Sequence, residues 1–207
     1  MIKSISYSQA EIIDWIRSLY GEIECDVTYS KGVFYKDLKW SPKLKFDIEP
    51  LSEDVKKADC RNLPLGDGSL RSIMFDPPFL ATKGKSLSGN EGNIIAQRFT
   101  VYETESELFR FYLDSLKEFS RVLMDDGILV VKCQDKISSS LQYLSHVFFI
   151  NEAEKLGFYC EDMFVLLAKS RLTPEWQVKN QKHARKYHSY FLVFRKCAKK
   201  IHFLGEK

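Results

Sequence analysis

Short, unbroken apolar runs alternate with helical patterns along this chain, and this alternation limits its fold more than any other feature. The run at 128–131 lacks a polar residue in every second place, as expected of a strand that is covered on both faces. Further apolar runs lie at 72–75, 163–168 and 190–194. A sheet with helices on both faces buries strands of this kind. We therefore predict an α/β fold with a doubly wound, mostly parallel sheet.

Helical signals separate these runs. A capping-box pattern starts at Ser8, and Gly21 ends the apolar periodicity that follows it. Apolar residues at three- and four-residue steps predict further helices over about 105–123 and about 139–156, with a break at 125–127 between them. The remaining candidate strands are residues 23–29 and 44–48.

Composition excludes several classes of protein. The 207 residues, 44% of them hydrophobic and 29% charged, predict one globular domain over 1–207, and a net charge of +3 is too mild to identify a nucleic-acid partner. No apolar run reaches the roughly 18 residues of a transmembrane helix, and the first six residues do not resemble a secretory signal, so we expect no membrane partner. The five cysteines and four histidines lack ligand-like spacing, which predicts no metal site, reduced thiols and a cytoplasmic protein.

The sharpest chemical feature is the segment Asp76-Pro77-Pro78-Phe79, here called the Asp-Pro-Pro-Phe motif, directly after the run at 72–75. Two prolines without N–H groups hold a carboxylate and an aromatic ring on a rigid support. A carboxylate and a backbone carbonyl match the two N–H donors of an exocyclic amine, and the ring offers a stacking face for a base. The alternative is a Pro-Pro turn that ends a strand, with Asp76 as an ordinary turn residue.

Three other strand ends carry weaker signals. The turn around Gly32 offers backbone N–H groups for a carboxylate or phosphate, or is an ordinary strand-to-helix turn. Asp47 and Glu49 follow the second strand, where dinucleotide-binding folds hold a ribose, or they are solvated. Asp59, beside Cys60, is a candidate acceptor for an adenine amine, or part of a plain loop.

Taken together, these strand ends resemble the S-adenosylmethionine-dependent amino-methyltransferases, which modify N6 of adenine or N4 of cytosine in DNA. The resemblance spans roughly residues 20–195. It implies a Rossmann-like class I methyltransferase sheet of seven strands, with residues 187–195 as an antiparallel last strand, and S-adenosyl-L-methionine as the cofactor. The Asp-Pro-Pro-aromatic form is commoner among the adenine enzymes of the family, which favours N6 of adenine.

The resemblance also implies roles for individual residues. The implied catalytic residues are Asp76, Pro77, Pro78 and Phe79. The implied cofactor-binding residues are Asp26, Thr28, Tyr29, Gly32, Asp47, Glu49, Asp59, Cys60 and Asp76. The sequence departs from the family at the first strand end, where Thr28, Tyr29, Ser30 and Lys31 occupy positions at which the family has further glycines.

Two loops are expected to face the substrate, at 80–100 and 169–187. Basic and aromatic residues mixed in one segment suit phosphate contacts and base stacking, although a solvated basic loop is the alternative. The expected substrate-binding residues are Phe79, Lys83, Lys85, Arg98, Lys182, Arg185 and His188. The segment 132–136 follows the strand at 128–131 and is expected to line the same cleft, although the sequence assigns it no role.

The expected partner is nucleic acid, with DNA favoured over RNA. The chain has no room for a separate target-recognition domain, which leaves open a partner subunit or a homodimer. An RNA base N-methyltransferase and a catalytically inactive scaffold with the same fold are the alternative functions.

Overall fold

The structure, a computed structural model, describes residues 1–81, 102–170 and 181–199. Ten strands lie in these residues: β1 Ile5–Ser6, β2 Cys25–Asp26, β3 Leu44–Asp47, β4 Lys56–Lys57, β5 Leu70–Phe75, β6 Leu123–Cys133, β7 Lys136–Ser138, β8 Leu141–Tyr143, β9 Phe158–Leu167 and β10 His188–Lys196. The helices described are α1 Gln9–Tyr20, α2 Glu105–Val122 and α3 Ser145–Lys155, with a single 3₁₀ turn at Val33–Tyr35.

Eight strands form one sheet in the order β1-β9-β10-β6-β5-β2-β3-β4. The last strand, β10, runs antiparallel to both of its neighbours, β6 and β9, and the other pairs are parallel. The predicted doubly wound sheet with an antiparallel last strand is therefore confirmed. Its eighth strand, beyond the seven predicted, is the two-residue β1 at the edge beside β9.

Both faces of the sheet are covered. Along β6, Leu129 and Val131 belong to a core formed with α2 and α3, whereas Ile128 and Val130 belong to a second core formed with α1. All four side chains are at most 4% exposed. The lack of alternation in this run follows from its position between two apolar layers.

The ends of α1 follow from local capping chemistry. The Ser8 hydroxyl accepts a hydrogen bond from the Glu11 N–H at 3.3 Å, and Gly21 ends the helix with φ of +92°, a region that costs glycine no Cβ clash. The helix α2 starts at a complete capping box between Thr104 and Glu107. None of the helices in the described ranges is long and apolar enough to cross a membrane.

The third predicted helix was wrong over its first six residues. Residues 136–143 form the hairpin β7–β8, and α3 begins only at Ser145. The hairpin turns at Ser139 and Ser140, which both have positive φ, +49° and +64°. Turns of this kind favour Asn and Gly, so two serines gave no turn signal.

Three strand bounds also differ from those predicted. The predicted break at 125–127 lies inside β6, where Asp126 has φ of +62° and the pairing with β5 shifts register. Asp125 and Asp126 are exposed, and this break is a local irregularity of one long strand. The strand β9 starts at Phe158, five residues before the predicted start, and β2 is limited to Cys25–Asp26.

Candidate active site

The carboxyl ends of β5, β2 and β3 lie side by side because β2 pairs in parallel with both of the others. A cleft of about 550 Å³, counted to its open mouth, lies at this edge of the sheet. Its lining residues are Val27, Thr28, Ser30, Asp47, Ile48, Asp59, Cys60, Asp76, Pro78, Tyr102 and Phe111. The structure thus brings together six of the residues predicted for catalysis or cofactor binding: Thr28, Asp47, Asp59, Cys60, Asp76 and Pro78.

Side chains from elsewhere in the fold hold the Asp-Pro-Pro-Phe motif by its carbonyl groups. The Tyr112 hydroxyl, from α2, donates to the Pro78 carbonyl at 2.6 Å, and the Lys136 ammonium donates to the Phe79 carbonyl at 2.7 Å. Lys136 also pairs with Glu105, with 2.5 Å between Nζ and Oε2. The Pro78 and Phe79 carbonyls therefore each have a hydrogen-bond donor from another element of the fold.

A lysine lies beside the carboxylate of the motif. The Nζ of Lys132, at the end of β6, is 3.6 Å from Oδ1 of Asp76 and donates to Oε1 of Gln9 at 2.9 Å. Burial raises the pKa of the Asp76 carboxyl above its ordinary value, and the Lys132 charge opposes that rise. The Asp76 side chain remains 24% exposed and lines the cleft, so a molecule in the cleft can reach it.

A buried carboxylate supports the floor of the site. Asp26 is 1% exposed; its Oδ1 accepts from the Thr28 N–H at 2.7 Å and its Oδ2 from the Tyr35 hydroxyl at 2.8 Å. Burial raises the pKa of Asp26 to about 7 despite these donors. The Thr28 hydroxyl lies 3.3 Å from Oδ1 of Asp26 and accepts from the Asp76 N–H at 2.9 Å. Thr28 therefore connects the ends of β2 and β5.

The end of β3 is organised around Asp47. Its Oδ2 accepts from the Ser30 N–H at 2.8 Å, and its Oδ1 accepts from the Glu49 N–H at 2.9 Å. Ser30 adopts φ of +52°, so the turn after β2 is bent toward this carboxylate. Glu49 is exposed and is not among the cleft-lining residues, which leaves Asp47 as the acid of this strand end that faces the cleft.

The turn at Gly32 is filled by an aromatic ring. Gly32 has φ of +68°, and a Cβ at this position would lie 2.6 Å from the Tyr29 hydroxyl oxygen. The Tyr29 ring stacks on Tyr35 with 5.6 Å between centroids, and the Lys45 ammonium lies 4.8 Å from the Tyr29 ring centroid. Tyr29 and Gly32 therefore pack against each other beside the cleft, and neither is among its lining residues.

The far end of the cleft is apolar and aromatic. Ile48, Cys60, Tyr102 and Phe111 line it, and the last two rings lie 5.1 Å apart. Asp59 is held by Arg61, whose guanidinium nitrogens approach the carboxylate at 2.6–3.1 Å and lower the pKa of Asp59. This end suits a flat ring system more than a charged group.

The structure describes only some of the residues predicted to bind nucleic acid. Lys83, Lys85 and Arg98 lie outside the described residues, as do most of the 80–100 loop and the central part of the 169–187 loop. Among the described ones, Lys182 is exposed and Arg185 is partly buried. His188 opens β10, and its Nε2 lies 2.9 Å from the Tyr190 hydroxyl.

Sequence reasoning missed several groups that shape the site. Tyr35, Tyr102, Phe111 and Tyr112 reach it from other elements and had no motif to identify them. Lys132 lies in the segment 132–136 that was expected at the cleft without a role, because it directly follows the apolar run at 128–131, as Asp76 follows the run at 72–75. A charged residue at the carboxyl end of a central strand is a site candidate in this architecture.

Comparisons with known structures show the fold. The chain is similar to a protein assigned as a sarcosine dimethylglycine methyltransferase from Galdieria sulphuraria, with 15% identity, a TM-score of 0.56, and 92% of this chain and 88% of that one covered. It is similar to the [4+2]-cyclase SpnF with 15% identity, a TM-score of 0.53, and coverages of 94% and 84%. These likenesses show the Rossmann-like fold of class I methyltransferases.

Similarity to DNA methyltransferases covers less of the matched structure. The PvuII DNA methyltransferase (cytosine-N4-specific) is 20% identical with a TM-score of 0.47, and the match covers 65% of this chain and 45% of that enzyme. The chain thus spans about half the length of that DNA methyltransferase. Among curated proteins, none matched the sequence.

A family model described as DNA methylase, of the N6/N4 methyltransferase type, matches residues 70–206, which are 137 of the 207 residues. The matched part begins with β5 and contains the Asp-Pro-Pro-Phe motif, Lys132 and β10. The cofactor of this family is S-adenosyl-L-methionine, and the lining of the cleft fits such a molecule, because it combines aromatic rings with carboxylate and hydroxyl side chains. The chain therefore belongs to the DNA methylase family of N6/N4 amino-methyltransferases.

Proposed function

We propose that this chain transfers the methyl group of S-adenosyl-L-methionine to an exocyclic base amine, and that this amine is N6 of adenine in DNA. The observation that carries the proposal is the position of Asp76. Its carboxylate lies at the cleft, with its backbone N–H bonded to Thr28 and the following carbonyls bonded to Tyr112 and Lys136. The acceptor is thus fixed before a base arrives, which is how electrostatic stabilisation becomes effective.

An amine that is conjugated to a base ring is a poor nucleophile. The Asp76 carboxylate and the Pro77 carbonyl accept its two hydrogens and favour a tetrahedral nitrogen, whose lone pair then points into the cleft. When bound, the cofactor supplies an electrophilic methyl group on a sulfonium. Positive charge develops on the nitrogen as the methyl arrives, and the Asp76 carboxylate stabilises it. Because burial raises its pKa, Asp76 is also the better acceptor for the proton that the nitrogen must lose.

The cleft provides separate places for the parts of the cofactor. Asp47 accepts hydrogen bonds from the ribose hydroxyls, as an acid at this strand end does in nucleotide-binding folds. The apolar end, with Tyr102 and Phe111, takes the adenine. Thr28 and Ser30 lie where the methionine part passes toward Asp76. Tyr29, Gly32 and Glu49, also predicted to bind the cofactor, act on it only through the turns that they shape.

The target base is reached by flipping it from the duplex and stacking it on Phe79. Flipping costs a few kcal/mol, which contacts in the active site must offset. The basic residues at 83, 85, 98, 182 and 185, with His188, are assigned to the phosphate backbone. The Asp-Pro-Pro-Phe form favours adenine over cytosine, and its place at the end of β5 suits either amine.

The experiment is incubation of the protein with isotopically labelled S-adenosyl-L-methionine and mixed-sequence DNA or RNA, followed by nucleoside mass spectrometry. We expect label in N6-methyldeoxyadenosine. Label in N4-methyldeoxycytidine would move the activity to the other amine of the family, and label only in RNA nucleosides would overturn the choice of DNA. Asp76→Ala protein provides the background.

A non-catalytic scaffold is the second candidate, and one observation favours it. The Tyr29 ring fills the turn at Gly32, where the family has further glycines. A thermal-shift measurement separates the two functions, because a ligand that binds only the folded state raises its stability by mass action. We expect S-adenosyl-L-methionine and its demethylated product to raise the melting temperature. The absence of a shift at millimolar cofactor would support the scaffold.

A further inference from the structure

Lys132 combines properties that neither packing nor the transfer step requires. It is the second-to-last residue of the central strand β6, and its side chain is 14% exposed. Its ammonium lies among the rings of Phe34, Phe79 and Phe191, at 5.0, 5.8 and 5.8 Å from their centroids. Burying an ammonium among aromatic rings is costly unless its charge and donors are used. One of these rings belongs to the residue on which the base is proposed to stack.

The Lys132 ammonium is held close to the Asp76 carboxylate but does not form a short hydrogen bond with it. Gln9 accepts from Nζ at 2.9 Å, and the Gln9 amide in turn donates to the Phe34 carbonyl at 3.2 Å, so this side of Lys132 is fixed by α1 and the 3₁₀ turn. The 3.6 Å between Nζ and Oδ1 of Asp76 is longer than the ~2.7–2.9 Å of a charge-assisted hydrogen bond. The Asp76 carboxylate, an acceptor, and the Lys132 ammonium, a donor, therefore lie next to each other without a short hydrogen bond between them.

We infer that Lys132 is a specificity-determining residue that donates a hydrogen bond to the ring nitrogen next to the methylated amine. This inference rests on the proposed function, because it places a base amine at Asp76. In adenine the amine at N6 adjoins the acceptor N1, and in cytosine the amine at N4 adjoins the acceptor N3. Each base thus presents a donor and an acceptor side by side, which matches the acceptor and donor formed by Asp76 and Lys132.

The pairing explains how the site reads a base on its Watson–Crick edge. That edge is available only after the base has left the duplex, and enzymes that flip bases read it by hydrogen bonds and stacking. Asp76 alone accepts from any N–H group. The added donor at Lys132 requires a ring nitrogen without a proton beside the amine, as N1 is in adenine and N3 is in cytosine.

The test uses an oligonucleotide that the wild type methylates, prepared with adenine or with 1-deazaadenine at the target position, and compares the wild type with Lys132→Met. In 1-deazaadenine a C–H group replaces N1, while the amine and the ring shape remain. For the wild type we expect kcat/KM to fall on the order of 10- to 100-fold with the analogue, the range of a hydrogen bond to a charged group. For Lys132→Met we expect little difference between the two substrates, because the donor is already absent.

Lys136→Met is the matched control, since it removes a neighbouring buried ammonium that bonds to the Phe79 carbonyl and not to the base. It should slow methylation of both substrates by the same factor and keep the wild-type penalty for 1-deazaadenine. A thermal shift with cofactor checks that each variant is folded. If the wild type methylates cytosine, the same comparison is made with 3-deazacytosine.

The outcomes separate the inference from the proposed function. If the wild type methylates neither base, the proposed function fails. If it methylates the base, and the deaza penalty is equal in the wild type and in Lys132→Met, then Lys132 serves only to neutralise Asp76 and the inference is overturned. A penalty in the wild type that disappears in Lys132→Met and persists in Lys136→Met supports it.

Discussion

The ends of β5 and β2 lie side by side, yet they are built in opposite ways. After β5, side chains from outside the turn, those of Tyr112 and Lys136, hold the carbonyls of the Asp-Pro-Pro-Phe motif. After β2, a ring from the turn itself, that of Tyr29, packs over Gly32, and Asp47 accepts from the Ser30 N–H. The turn after β5 is thus supported by residues far away in the sequence, whereas the turn after β2 is filled by its own Tyr29 ring.

The difference is consistent with the proposal that the end of β5 carries the chemistry. A turn that is held from outside can leave a carboxylate and a ring facing the cleft, because its own side chains are not needed for support. In the turn after β2 the Tyr29 side chain is used for packing, so Tyr29 and Gly32 can position a ligand only through the backbone and the shape of the turn. Four variants, from the largest expected effect to the smallest, test this division of roles.

Replacing Asp76 by Ala should give the largest effect, because it removes the acceptor on which charge stabilisation depends. We expect kcat to fall by about 10²–10³-fold or more, as for loss of one preorganised transition-state contact. Cofactor affinity, measured by calorimetry, should stay close to that of the wild type. Asp76→Asn, which keeps the shape but not the charge, separates electrostatics from packing. An Asp76→Ala variant with most of its activity at saturating cofactor would contradict the role given to this residue.

Replacing Phe79 by Ala should weaken use of the substrate more than the transfer step. Stacking of a base on an aromatic side chain contributes roughly 1–3 kcal/mol, so KM for DNA should rise about 5- to 150-fold. Single-turnover rates at saturating DNA should change less. Phe79→Tyr keeps the ring and provides the control. A fall in the single-turnover rate with an unchanged KM would point to a role for Phe79 in positioning Asp76.

Replacing Gly32 by Ala should affect stability more than turnover. The positive φ and the approach of a Cβ to the Tyr29 ring both disfavour a side chain, and we expect a loss of about 1–2 kcal/mol or more in the free energy of unfolding. Urea denaturation measures it. In a Tyr29→Ala background the contact is removed and only the backbone strain remains, so the same substitution should cost less. Equal costs in the two backgrounds would show that Tyr29 does not fill this turn.

The smallest effect on the transfer step is expected for Asp26, whose role shows in the pH dependence of stability. The pKa of this carboxyl rises from 3.8 to about 7 in the folded protein, so the folded state binds the proton more tightly than the unfolded state does. The stability that the protonated Asp26 carboxyl contributes is fully present below about pH 4 and is lost as the pH rises through 7. Asp26→Asn should therefore gain stability relative to the wild type between pH 4 and 7. A difference that stays constant over this window, in melting curves of both proteins, would contradict the raised pKa.

Local chemistry made part of this structure predictable. Ser8 and Gly21 bound α1 because caps act within a few residues, and the apolar runs located β5, β6 and β10 because burial on two faces leaves no polar positions. Asp76 followed from the same reasoning, since ligands of such sheets gather at the carboxyl ends of strands.

The remaining parts depend on chain segments that are far apart or on turns without a sequence signal. Lys132 bonds to Gln9 across 123 residues, and Tyr112 bonds to Pro78 across 34, so no local pattern reveals either contact. Ser139 and Ser140 turn a hairpin with the backbone conformation of Asn-Gly, and the apolar periodicity around them favoured a helix instead.

The Thr28 hydroxyl bonds both to the buried carboxylate of Asp26 and to the backbone N–H of Asp76, which lines the cofactor cleft. A shift of either strand end stretches a hydrogen bond to the other, so the two resist independent movement. In the proposed reaction the cofactor and the target base bind at the ends of different strands. The distance between them, which the methyl group must cross, is then set by the hydrogen bonds that join these strand ends. It is fixed before either molecule binds.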